Sequence, residues 1–139
     1  MAEGTIIKKL GIKPGYKVLI LNAPPGYAKS LGALPDGATI AEGITPPGGQ
    51  FDLVQYFAHD KAEVDQNAQA VIHAVKMGGL LWFSYPKKTG KIKTDLSRDV
   101  GWDSVAKAGW IGVSLISIDD TWSSMRYRPA SEVKSTRKS

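Results

Sequence analysis

Four lysines crowd one short stretch of this chain: Lys87, Lys88, Lys91 and Lys93 follow the apolar run Leu80-Leu81-Trp82-Phe83 and the pair Tyr85-Pro86. Thr94 and Asp95 then read as a helix start. Lysine supplies point charge. A helix N-terminus supplies free N–H groups and the positive end of a dipole, so the combination suits a phosphate-like anion. Lys87 and Lys88 stand nearest the strand and would hold most of it. The plain alternative is a solvated basic loop with Thr94 or Asp95 as the helix cap, and Asp95 would compete with an anion.

Acid–base chemistry has few candidates. His59 and His73 are the only histidines. His59 precedes Asp60 where a strand ends, and an imidazole there could move a proton. A helix-start role accounts for it better, because Asp60 beside it already has a cap role. His73, between Ile72 and Ala74, reads as a surface residue. No two histidines and an acid share ligand spacing, so no metal site is expected. Asp119 and Asp120 are adjacent, and neighbours on a strand face opposite ways, which favours a turn role over a catalytic pair. Ser30 and Ser84 sit in no nucleophile elbow. Cysteine is absent, which excludes disulfides, thiolate metal sites and cysteine catalysis and fits a reducing compartment.

The first strand-to-helix turn is Asn22-Ala23-Pro24-Pro25-Gly26-Tyr27. It lacks the G-x-G-x-x-G pattern that lets a backbone approach a pyrophosphate. Two prolines remove two N–H donors. This reading argues against a conventional grip on S-adenosylmethionine or NAD. Glu42 falls twenty positions after Asn22, near where a ribose-binding acid would stand.

The elements that position these residues can be read in order. Tyr16 to Leu21 is an apolar run between turn residues, as a strand buried on both faces should be. Tyr27 to Leu34 suits a short helix, Ala38 to Ile44 a weaker strand and Phe51 to Ala58 a further strand. The best helix follows. Asp60 and Glu63 form a capping-box start, Val64, Ala68, Val71, Ile72 and Val75 recur on one face, and Gly78-Gly79 end it. The Leu80–Tyr85 strand comes next, then a helix from about Asp95 to Ala108 with Gly101 inside it. Val113 to Ile118 and Ser124 to Arg128 close the chain as two strands. The last alternates Met125 and Tyr127 with polar residues, as a strand with one buried face does.

Alternating strands and helices imply parallel pairing through right-handed crossovers, and the closing strand pair implies an antiparallel edge. The expected fold is a Rossmann-like three-layer sandwich. Ligands in such sheets bind beyond the carboxyl ends of the strands. That rule collects Asn22, Gly26, Tyr27, His59, Tyr85, Lys87, Lys88, Asp119, Asp120 and Trp122 as the candidate ligand-binding residues. Trp82 reads as core, and Trp102 and Trp110 as packing around the second helix. Trp122, in a loop beside two aspartates, is the tryptophan expected at the surface.

The 139 residues suit one domain over 1–129 with a polar tail over 130–139. The net charge is +5, yet Arg126 to Ser139 alone hold five basic side chains and one acid. Most of the excess therefore sits on the last strand and the tail, which argues against a nucleic-acid face. The N-terminal stretch has no long apolar run, so neither a signal peptide nor a membrane span is expected, and the cytoplasm is the default.

KLGIKPGYKVLILNAP, LLWFSYPKKTGKIKTDLSRDV and IDDTWSSMR, in this order, resemble a bacterial family of domains of unknown function with shortened methyltransferase-like folds. The resemblance spans about residues 8–128. It implies the fold and brings no activity, cofactor or catalytic residue with it. Three functions follow from the sequence. The first is an anion- or small-molecule-binding domain without catalysis, favoured by the missing glycine pattern. The others are an atypical transferase on the same rim and a protein-interaction module. The partner expected is a small anion, with oligomeric state open.

Overall fold

A computed structural model describes residues 5–31, 34–43, 51–87, 93–97 and 100–130. The chain divides into two compact units. One comprises Met1–Phe57 and Ala70–Trp82, the other Ala58–Gln69 and Phe83–Ser139.

The first unit holds α1 (Thr5–Leu10), β1 (Lys17–Leu21), α2 (Tyr27–Ser30), β2 (Thr39–Gly43) and β3 (Phe51–Phe57). It also holds the end of α3 (Lys61–Ala74) and the start of β4 (Val75–Pro86). Val18 to Leu21 and Leu53 to Phe57 are buried without alternation. Such runs belong to strands covered on both faces, and β1 pairs in parallel with both β2 and β3. Ile12, and Ile7 and Leu10 before it, are buried too, which seats the short helix α1. Its end is tied down by Trp82, whose Nε1 donates to the Leu10 carbonyl at 3.0 Å.

The second unit holds the start of α3, the end of β4, α4 (Asp103–Lys107), β5 (Trp110–Ser117) and β6 (Trp122–Pro129). β5 and β6 pair antiparallel. Phe83, Tyr85, Trp102 and Tyr127 form an aromatic cluster with ring centroids 5.4 to 5.8 Å apart. Burial beside Tyr85 holds the Tyr127 hydroxyl protonated well above the usual tyrosine range. The strand order β2-β1-β3-β4-β6-β5 makes a mostly parallel, Rossmann-like mixed sheet with an antiparallel C-terminal edge.

Several local expectations change. β4 starts at Val75, directly after α3, and runs through Gly78 and Gly79. Gly79 serves a close approach: a Cβ there would stand 2.8 Å from the Asp52 carbonyl oxygen. The helix expected from Asp95 is the short α4, beginning only at Asp103. Asp95 instead serves α3, where its Oδ1 accepts the Lys61 N–H at 2.8 Å. The Asp60 half of the capping box at α3 is present, while Glu63 reaches one residue further back. Asp60 Oδ1 accepts the Glu63 N–H at 3.0 Å, and Glu63 Oε1 accepts the His59 N–H at 2.7 Å. On β6, Met125 and Tyr127 are buried as the alternation says, but so is Ser124, which shares a 2.9 Å hydrogen bond with Ser84. Residues 131–139, which carry most of the polar tail, lie outside the described residues.

Candidate functional site

In the first unit the turn after β1 is built from backbone conformation. Asn22 has φ 61 and Gly26 has φ 80, both left-handed. Asparagine tolerates that region better than other residues with a Cβ. Asn22 is fixed by two bonds. Its N–H donates to the Gly43 carbonyl at 2.8 Å, and its Nδ2 to the Phe57 carbonyl at 2.7 Å. The carboxyl ends of the parallel strands β1, β2 and β3 therefore meet at one residue, through its backbone N–H and its side chain. Glu42 is exposed, one residue before the end of β2 and in register with Ile20 of β1. Gly26 is exposed, with nothing within 4 Å of where a Cβ would stand. Tyr27 opens α2 but is buried. Its hydroxyl donates to Gln55 Oε1 at 2.9 Å and its ring meets Phe57 edge-on. It supports the turn from below.

In the second unit a separate cluster forms around Trp122. His59 packs edge-on against the Trp122 ring at 5.4 Å. Trp122 is only 4% exposed, which corrects the surface placement expected from its neighbours. It is the first residue of β6, and its ring is covered by a histidine distant in sequence. Asp119 has the turn role expected: Oδ1 accepts the N–H groups of Thr121 and Trp122, both at 2.8 Å. Lys87 joins the same turn, its N–H donating to the Thr121 carbonyl at 2.7 Å and its Nζ to Ser117 Oγ at 2.7 Å. Asp120 is exposed. Tyr85 is buried against Trp102.

The anion loop inferred from the four lysines is not what the described residues form. No helix begins at Thr94 or Asp95, so that N-terminal dipole is absent there. Thr94 Oγ1 accepts the Leu96 N–H at 3.0 Å in a local turn. Lys93 is exposed, and Lys88 and Lys91 lie outside the described residues. His73 is exposed, as expected.

One pairing escaped the sequence reading. His59 Nδ1 lies 3.0 Å from Glu63 Oε1. A carboxylate at Nδ1 orients an imidazole and favours the tautomer in which Nε2 accepts a proton. The spacing of four residues across a helix start was the available signal. Among the described residues no group of histidine, aspartate and glutamate could hold a metal ion, and no helix is long and apolar enough to cross a membrane.

No protein-family model matches the chain, and no curated protein matches it. Solved structures do. A SAM-dependent methyltransferase from Aquifex aeolicus matches with TM-score 0.64 at 12% identity, over 90% of this chain and 88% of that one. DhpI in its complex with SAH matches with TM-score 0.61 at 17% identity, over 92% and 83%. The fibrillarin pre-rRNA processing protein of Methanococcus jannaschii matches with TM-score 0.56 at 13% identity, over 93% and 76%. DhpI also matches in a complex with SAM and HEP. These neighbours overturn two expectations, that the chain is an anion-binding domain without catalysis and that S-adenosylmethionine is unsuited to it. The physical reason lies in the first turn. Missing glycines were read as a missing conformation, whereas Asn22 and Gly26 supply the left-handed backbone there. The fold is methyltransferase-like, as the resemblance in the sequence implied.

Proposed function

We infer that the chain binds S-adenosylmethionine and serves methyl transfer, with the strand ends of the first unit as its cofactor grip. The supporting observation is the turn after β1. Asn22 and Gly26 are both at positive φ, and Glu42 stands exposed near the end of the adjoining parallel strand. In open α/β sheets this is where an acid takes the ribose hydroxyls of a nucleoside cofactor. Glu42 would hold the ribose, while Gly26, with open space in place of a Cβ, lets the backbone approach the rest of the molecule. Pro24 and Pro25 supply no N–H, so recognition by backbone falls to the residues around them. When bound, S-adenosylmethionine supplies a methyl group activated on a sulfonium. A chain free of cysteine suits a reducing, cytoplasmic setting for this role.

Titration calorimetry with S-adenosylmethionine and S-adenosylhomocysteine tests this reading. Binding is expected, and Glu42→Ala should weaken it by about tenfold or more, roughly 1.4 kcal/mol. Absence of binding at about 1 mM, a free energy near −4 kcal/mol, refutes it.

A further inference from the structure

We propose that β5 pairs edge to edge with β5 of a second copy, making a two-fold symmetric dimer. The inference stands apart from the methyl-transfer reading, because it uses only residues of the second unit.

β5 is the last strand in the sheet order. Its sequence, WIGVSLIS, has no charge and no proline. Edge strands are commonly blunted by lysine, proline or an inward charge, because an open edge templates further pairing. Here Ile111, Val113 and Leu115 are 39%, 39% and 42% exposed. On the Met125–Tyr127 face lies an open groove of about 470 Å³ lined by Trp102, Trp110, Leu115, Met125 and Tyr127.

The register allows the occupant to be this same strand. Gly112 stands opposite Tyr127 and Leu115 opposite Met125, with a slip between Gly112 and Ser114. The slip places Gly112 and Leu115 on one face of the sheet. Ile111, opposite Arg128, and Ile116, opposite Ser124, fall on the other. In a regular strand, residues an odd number of positions apart face opposite ways. No antiparallel self-pairing centred between two residues would then be consistent. With the slip, a two-fold axis between Val113 and Ser114 becomes consistent for the residues that flank this pair. It sets Gly112 beside Leu115 of the second copy, Ile111 beside Ile116, and Trp110 beside Ser117. Each pair shares a face, and none contains a charge.

Gly112 lets the strand lie close against β6: a Cβ there would stand 2.8 Å from Met125 Sδ. The chain's own tail is a poor occupant, since residues 131–139 contain one apolar residue of any size, Val133. The isologous arrangement closes on itself, so it ends at two copies.

The test is the oligomeric state of the full chain by sedimentation velocity from about 5 to about 200 µM, the range in which a modest interface dissociates. A concentration-dependent dimer is expected. Ser114→Lys and, separately, Leu115→Lys should make the chain monomeric across that range with the far-ultraviolet spectrum unchanged. Ser114 is exposed in the single chain, so its variant keeps the test valid if the leucine variant misfolds. The chain has no native cysteine. Ile111→Cys combined with Ile116→Cys should therefore form an interchain disulfide on oxidation, while Ala62→Cys on α3 should not. Two cysteines five apart on one strand lie too far from each other to bridge within a chain. A chain that stays monomeric at about 200 µM overturns the proposal. So does a dimer that both lysine variants leave intact, or one in which the paired cysteines fail to cross-link.

Discussion

Replacing Asp52 by alanine should loosen three strands at once, and the loss should depend on pH in a defined direction. Asp52 is the second residue of β3. Its Oδ2 accepts the N–H of Lys17, the first residue of β1, at 2.7 Å, and its Oδ1 meets the ammonium of Lys76 near the start of β4. The Lys17 N–H and then the Lys76 ammonium hold the carboxyl below its ordinary range, against a smaller opposing effect of burial. A hydrogen bond to an ionised group contributes about 1.5–3 kcal/mol. Water can partly replace the carboxylate at this strand start, so the lower end applies, about 1.5–2 kcal/mol. The lysine pair adds little, since the Lys76 side chain is half exposed. For a domain of this size the thermal midpoint should fall by about 5 °C at neutral pH. Because the folded carboxyl is the stronger acid, its contribution is complete above the unfolded value near 4 and disappears as pH falls through the lower folded value. Thermal melts of wild type and Asp52→Ala should therefore differ by a constant amount from about pH 7 to about pH 5 and converge below about pH 4. Equal midpoints at pH 7, or a gap that persists undiminished into strong acid, would refute the reasoning.

Gly79→Ala should lower stability by about 1–3 kcal/mol, because the new methyl meets the Asp52 carbonyl oxygen at 2.8 Å; an unchanged urea midpoint would contradict the close strand approach. Trp102→Ala should cost about 3–5 kcal/mol, since its ring touches Phe83, Tyr85 and Tyr127 and its Nε1 donates to the Ser97 carbonyl at 2.7 Å; a loss under about 1 kcal/mol would show that the cluster closes over the gap. Asp95→Ala should cost about 1 kcal/mol and speed amide exchange in the first turn of α3, as the Lys61 N–H loses its acceptor; unchanged exchange at Lys61 would remove Asp95 from the cap. Truncation after Ala130, whose N–H donates to the Gly109 carbonyl at 2.7 Å, should leave the thermal midpoint within about 2 °C, because residues 131–139 are polar; a larger fall would show that they pack.

The parts of the fold that were legible are those set by local pattern. β1 and β3 announced themselves as apolar runs without alternation, because both faces of a parallel strand are covered. α3 announced itself by its buried stripe and its capping pair, both of which lie within a few residues. What failed was what depends on distant partners. Asp95 looked like the start of the next helix but caps one that begins at Lys61. Trp122 stood among polar letters, yet its ring lies under His59. At the site, topology points to the strand ends, and spacing alone points to Glu42. The conformation of Asn22 was hidden, because a left-handed turn was sought only in glycine. Tyr27 and Tyr85 were counted as rim residues because they flank strand ends, and nothing local says which way a tyrosine at such a place will turn.

The interleaving of the two units bears on the order in which the chain can mature. Everything the first unit needs is present once Trp82 has been made, although residues 58–69 within that span belong to the second unit. During synthesis from the N-terminus, one unit can consolidate while an internal stretch of the finished chain still waits for its companions. The opening turn of α3 is part of that stretch, and its Lys61 N–H finds its acceptor only when Asp95, 34 residues later, has emerged. The beginning of the longest helix is thus among the last pieces to be sealed, and an interrupted chain ending before Asp95 would carry a complete first unit beside an unlatched helix start.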